Sequence, residues 1–134
     1  MERKSINPAD VFNSLQYGFS QAIAATGNRQ LFLSGQVAVN VNQETVAGGM
    51  YEQTVQSLVN VEHVLREAGG SLANVTMLRI YIKDGFNSHE EQVEIARALK
   101  EKFDVVPPAS SWIIVTGLSL PEWLIEIEAH AVLN

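Results

Sequence analysis

Leu124-Ile125-Glu126-Ile127-Glu128-Ala129-His130-Ala131-Val132-Leu133 alternates almost without a break. Ile125, Ile127, Ala129, Ala131 and Leu133 fall on one side, and Glu126, Glu128 and His130 on the other. Successive side chains of a strand point to opposite faces, so the stretch predicts a β-strand with one apolar face. On its second face two carboxylates and an imidazole follow one another at steps of about 7 Å. Like charges at that spacing repel, so they need either solvent or a use. A solvated strand face and an acid held in a cleft both satisfy the pattern.

Residues 75–83 repeat the alternation: Leu78, Ile80 and Ile82 share one face, and Met77, Arg79, Tyr81 and Lys83 the other. Residues 109–118 read as a further strand, and residues 119–123 turn back into the last one. Upstream, residues 20–26 predict a strand, Gly27-Asn28 a hairpin turn, and residues 30–39 a second strand. Leu31-Phe32-Leu33 suggests burial on both faces of that strand. Ser34-Gly35-Gln36 interrupts it, and a glycine there marks a bulge, a close approach to the backbone, or a packing choice. Residues 1–15, with the turn Asn7-Pro8, read as an irregular arm.

Two helices are predicted between the strands. Residues 50–68 place Val55, Leu58, Val59, Leu65 and Ala68 on one face, and Gly69-Gly70 stops the helix. Ser88-His89-Glu90-Glu91 reads as a capping box opening a helix that buries Ile95, Leu99 and Phe103, with Pro107-Pro108 closing that region. His63 and His89 sit at polar helix positions and receive no catalytic role. The order of strand, strand, helix, strand, helix, strand, strand predicts an α+β domain spanning residues 1–134: one mixed sheet with two helices on one side. The sheet's second face then holds Met77, Arg79, Tyr81, Glu126, Glu128 and His130, with Trp112 or its neighbours. That face is half apolar, so we expect it to pack on copies of itself.

Composition narrows the function classes. Apolar residues make up 46% and charged residues 18% of the 134, which places the chain among ordinary globular proteins. There is no cysteine, so disulfide and thiol chemistry are excluded. Nine Lys and Arg against fifteen Asp and Glu give a net charge of −6, and the cations are scattered. Nucleic acid is therefore a poor partner. No apolar run reaches the roughly 20 residues that cross a bilayer. The first eight residues lack an apolar signal core, so a cytoplasmic location is expected.

Self-contained catalytic motifs are missing. Gly48-Gly49 lacks the Lys-Ser/Thr of a phosphate loop, and no paired-histidine zinc pattern occurs. Glu126, Glu128 and His130 lie too far apart along a strand to chelate one ion comfortably, so neither a metal nor another cofactor is expected. A Ser-His-Asp set can be assembled on paper, as in almost any chain, and carries no weight.

A resemblance emerges from the pieces in order. Phe19-Ser20-Gln21-Ala22, Leu33-Ser34-Gly35-Gln36, Gly49 with Gln53-Thr54, Asn60 with Val64-Leu65, and Ala68-Gly69 all take part. So do Tyr81-Ile82-Lys83-Asp84, Pro108-Ala109, and Pro121-Glu122-Trp123-Leu124-Ile125-Glu126-Ile127-Glu128-Ala129. Over residues 17–133 the chain resembles the RidA/YjgF family of enamine and imine deaminases. The resemblance implies a chorismate-mutase-like α+β fold and a homotrimer whose three sheets form a barrel. Small-molecule clefts would lie between its subunits.

It also implies hydrolysis of reactive enamines and imines to ketones and ammonia, with Glu126 as the cleft acid. Phe19, Ser34, Gly35, Gln36, Ser110 and Ser111 would bind substrate. Two departures stand out. The family's carboxylate-gripping Arg after Pro-Ala is Ser110 here, and its cleft Tyr is Phe19. A charge-assisted contact of about 1.5–3 kcal/mol is thereby absent at that position. Three readings stay open: a hydrolase for C=N compounds that does not need the Arg, a ligand-binding or regulatory protein without turnover, and a ribonuclease. The acidic balance argues against the last.

Overall fold

The computed structural model describes residues 2–104 and 106–134. The elements are β1 (Glu2–Ile6), β2 (Ala22–Thr26), β3 (Arg29–Gln36), α1 (Met50–Glu67), β4 (Val75–Lys83), α2 (His89–Phe103), β5 (Ala109–Val115) and β6 (Ile125–Leu133). Short 3-10 turns cover Ser14–Tyr17 and Leu72–Asn74. β3, β6, β4 and β5 form a four-stranded sheet in that order. β4 and β5 run parallel, while the other two pairings are antiparallel, so the sheet is mixed. The chain is α+β, as the order of patterns predicts.

Both helices contribute to the core on one face of this sheet. Leu78, Ile80, Ile82, Ile125, Ile127, Ala129, Ala131 and Leu133 are buried there with Leu58, Val61, Leu65, Ile95 and Leu99. α2 buries Ile95, Leu99 and Phe103 as its spacing predicts. Its N-terminus is capped by Ser88, whose Oγ accepts from the Glu91 amide, while Glu91 accepts from the Ser88 amide.

α1 is rotated from its predicted face. It buries Met50, Gln53, Thr54, Ser57, Leu58, Val61 and Leu65, and leaves Val55 and Val59 half-buried. The polar members belong inside because each is satisfied. The Gln53 side chain donates to the Glu122 carbonyl and accepts from the Leu124 amide, at 2.9 Å each. Thr54 and Ser57 donate to carbonyls one turn back. Gln53 thereby ties the start of α1 to the entry of β6.

Two further expectations are corrected. Residues 2–6 are a strand, not an irregular arm: β1 pairs antiparallel with β2 in a separate two-stranded sheet. Arg3 anchors it, donating to the Val75 and Val106 carbonyls at 2.7 and 2.9 Å. Gly27-Asn28 is then no hairpin turn, since β2 pairs with β1 and β3 pairs with β6. Gly27 is needed for room: a Cβ there would lie 2.5 Å from the Leu133 carbonyl oxygen and 2.6 Å from Val132 Cγ1. The chain passes close over the end of β6, and a side chain would block it.

The second face of the four-stranded sheet carries Phe32, Met77, Arg79, Tyr81, Glu126, Glu128 and His130, with Ser111 and Ile113. Trp112 is not on it: its partner is Ile80, which puts it on the helix side, and its neighbours take the outer positions. Phe32 is not buried on both sides but 78% exposed, stacked on the His130 ring at 4.6 Å. Among the described residues no helix is long and apolar enough to cross a membrane.

Candidate functional site

Glu126 lines an open cleft on the outer sheet face. The cleft holds about 330 Å³ and is lined by Gly35, Tyr81, Val115, Gly117, Leu118, Glu126 and Glu128. The strand register builds it. Glu126 sits on β6 opposite Tyr81 of β4, and Glu128 opposite Arg79. On the other flank β3 carries a bulge: Leu33 faces Ala129, and three residues later Gln36 faces Ile127. The extra residue bends the strand and brings Gly35 over Glu126. A Cβ on Gly35 would stand 2.2 Å from Glu126 Oε2 and 2.7 Å from Cδ and Cγ. The interruption in residues 34–36 is thus both a bulge and a close approach.

The two carboxylates have different surroundings. Glu128 accepts a hydrogen bond from the Tyr81 hydroxyl. That bond, with burial and the negative charge of Glu128, raises the Tyr81 pKa above its ordinary value. Glu126 has no hydrogen-bond or ion-pair partner among the described residues. His130 points to a third place, with Nε2 3.1 Å from the Gln30 amide oxygen. The polar face of β6 is therefore split. One acid is engaged, one is free, and the imidazole is stacked against Phe32.

Phe19 and Ser110 lie elsewhere. Ser110 pairs with Leu78, on the helix side of the sheet. Both line a hollow of about 720 Å³ between α2, β5 and the 3-10 turn of Ser14–Tyr17. Its walls include Phe12, Tyr17, Phe19, Val93, Ala96 and Trp112. Phe12, Phe19 and Trp112 form a run of edge and tilted ring contacts at 6.2 Å. The Ser110 hydroxyl accepts from the Trp112 indole at 3.1 Å. Gly18 makes the packing possible: its φ is 90°, and a Cβ would lie 3.1 Å from both the Ala96 carbonyl oxygen and Leu99 Cβ.

One chain thus brings Gly35 and Glu126 together, and separately Phe19 and Ser110, on opposite faces of the sheet. Ser34 is exposed, and its carbonyl accepts from the Gln36 side chain at 3.1 Å. Ser111 is exposed on the outer face opposite Arg79. Tyr81 and Trp112 are lining residues to which the sequence reading gave no role at the site, whereas Glu128 was named there beside Glu126 on the same strand face. The adjacency of Tyr81 and Glu128 is a cross-strand relation, and linear spacing does not carry it.

The family model described as Endoribonuclease L-PSP matches residues 13–133. A RutC family protein of Pyrococcus horikoshii is 38% identical over 114 residues, covering 84% of this chain and 85% of its own. A solved structure of a conserved Rid-family protein from Yersinia pestis, described as of unknown function, is 41% identical with a TM-score of 0.91. It covers 99% of this chain and 100% of its own. Yeast Mmf1 is 25% identical with a TM-score of 0.71, covering 97% of this chain and 93% of its own.

Proposed function

The chain belongs to the RidA/YjgF family, and on that premise we propose that it hydrolyses the C=N bond of a small imine, or of an enamine after tautomerisation. The observation that carries the reading is the unpartnered Glu126 carboxylate held against Gly35 in an open cleft. Addition of water to a C=N carbon needs a base that takes the water proton and an acid that protonates nitrogen. Glu126 has the free lone pairs for both in turn. Water adds to carbon, its proton passes to Glu126 and then to nitrogen, and the carbinolamine collapses to ketone and ammonia.

The site is completed by a second copy in a homotrimer. The two hollows of one chain are complementary: one holds the unpartnered acid beside a single aromatic ring, Tyr81, and the other holds the aromatic walls, its own acid Glu101 being engaged by Tyr51. Three features support assembly. The second sheet face is half apolar, with Phe32 exposed on it. β5 is an edge strand, and an unpaired strand edge is a template for another chain. Ile113 and Ile114 on it are exposed.

The second reading, a ligand-binding protein without turnover, draws support from Ser110, which has a single hydroxyl where the family's anion grip stands. Ammonia release from a panel of aminoacrylate and neutral imines tests the choice. Glu126→Gln should lower release about 10²–10⁴-fold. Equal turnover by wild type and Glu126→Gln removes Glu126 as proton carrier. No release from any compound, with ligand still bound, favours the second reading.

A further inference from the structure

The aromatic hollow has a cationic wall. Val93, Ala96, Arg97 and Lys100 face it from α2 with i, i+3, i+4, i+7 spacing, one stripe along the helix. In a chain of net charge −6 two cations adjoin in this wall. Arg97 is held in place. Its guanidinium carbon lies 3.6 Å from the centre of the Tyr51 ring, and the Tyr51 hydroxyl donates to Glu101 at 2.6 Å. Stacking on a ring face leaves the donor edge of a guanidinium open. Arg97 has no hydrogen-bond or ion-pair partner among the described residues. Glu101 also lines the hollow, but its carboxylate is engaged by Tyr51. A hollow of about 720 Å³ with mostly apolar walls and a few convergent polar groups has the make-up of a small-molecule site.

We propose that this hollow binds a small carboxylate bearing an aromatic group. The ring lies among Phe12, Phe19 and Trp112, and the carboxylate meets Arg97 and Lys100. The grip missing at Ser110 is supplied from α2 instead. This deepens the hydrolase reading by naming its substrate class: an aryl-bearing imine whose acid group sits away from Ser110. It rests on that reading for the C=N bond, while anion recognition is tested by binding alone.

Phenylacetate and its neutral isostere phenylacetamide are titrated against the intact protein, following tryptophan fluorescence, to which Trp112 in the hollow and Trp123 outside it both contribute, and heat of binding. The acid should bind roughly tenfold or more tighter than the amide, since contacts to charged groups are the stronger ones. Arg97→Gln should remove that preference, Arg97→Lys should keep part of it, and Lys100→Gln should reduce it. Arg97 is exposed, and loss of its stack on Tyr51 should lower the thermal melt by only a few degrees. Equal affinity for acid and amide, an unchanged preference in Arg97→Gln, or no binding of either at millimolar concentration would overturn the proposal. Anion preference without ammonia release from any imine would defeat only the hydrolase reading. Release from neutral imines without anion preference would defeat only this inference.

Discussion

Gly35→Ala separates the position of Glu126 from the stability of the fold. The added Cβ would stand 2.2 Å from Glu126 Oε2 and 2.7 Å from its Cδ and Cγ. Comfortable carbon contacts begin at about 3.5 Å, so the overlap is roughly 1 Å and involves the stem as well as the carboxylate. Rotation of the terminal group alone does not relieve it, and Glu126 must leave its place. The stability terms oppose each other. Moving Glu126 to a poorer rotamer costs about 0.5–1.5 kcal/mol. Gly35 is outside the left-handed region, so alanine restricts the unfolded chain and returns about 0.4–1 kcal/mol. The melting temperature should therefore move by only a few degrees. Turnover should fall about 10²-fold, because a catalytic group displaced by an ångström loses about that much. Ammonia release and a thermal melt on the same preparation read both. A variant that melts like wild type and keeps at least half its turnover would refute the placement of the working carboxylate.

Other perturbations test the supports of the site. Asn60→Ala removes the amide that donates to the Val37 and Val39 carbonyls at 2.9 Å each, and should cost about 1–3 kcal/mol in a denaturant melt. Gly18→Ala forces a side chain into the left-handed region against α2, and should cost about 1–2 kcal/mol in the same assay. The Tyr81 hydroxyl should ionise above its ordinary value in a near-ultraviolet titration, because Glu128 holds its proton. Its folded pKa exceeds the unfolded one. The stabilisation is therefore full below the unfolded value and is lost as pH rises through the folded value. Glu128→Gln should bring the titration back down. Ser110→Arg should improve hydrolysis of imines carrying an α-carboxylate, measured as ammonia release. No gain would mean that Trp112, which holds the Ser110 hydroxyl, keeps that wall closed to the new side chain.

What the sequence conveyed depended on how local the determinant was. β4 is legible to the residue because Leu78, Ile80 and Ile82 alternate with polar neighbours, and α2 because Ser88 and Glu91 cap a clear apolar stripe. The acid of β6 and the glycine of β3 were legible as a pair of oddities, an acid amid alternation and a break within a strand. β1 was not: Arg3-Lys4-Ser5 has no apolar period, and the strand is held by β2 and by Arg3 bonds to distant carbonyls. Gly27 misled because a glycine serves turns and close approaches alike. The face of α1 was misread because Gln53 looks like a solvent residue until its partners on Glu122 and Leu124 are known. Arg97 carried no signal, since its relation to Tyr51 depends on how the two helices pack.

The central claim is that acid and aromatic wall come from different copies of this chain. Two damaged variants test it most directly, Glu126→Gln on one face of the sheet and Trp112→Ala on the other. Each alone should be nearly inactive. Unfolded and refolded together in equal amounts, they should recover about a quarter of wild-type ammonia release, the fraction of sites drawing each intact half from a different subunit of a closed ring. Mixtures no more active than the separate variants, with mixed oligomers present, would contradict a site shared between copies.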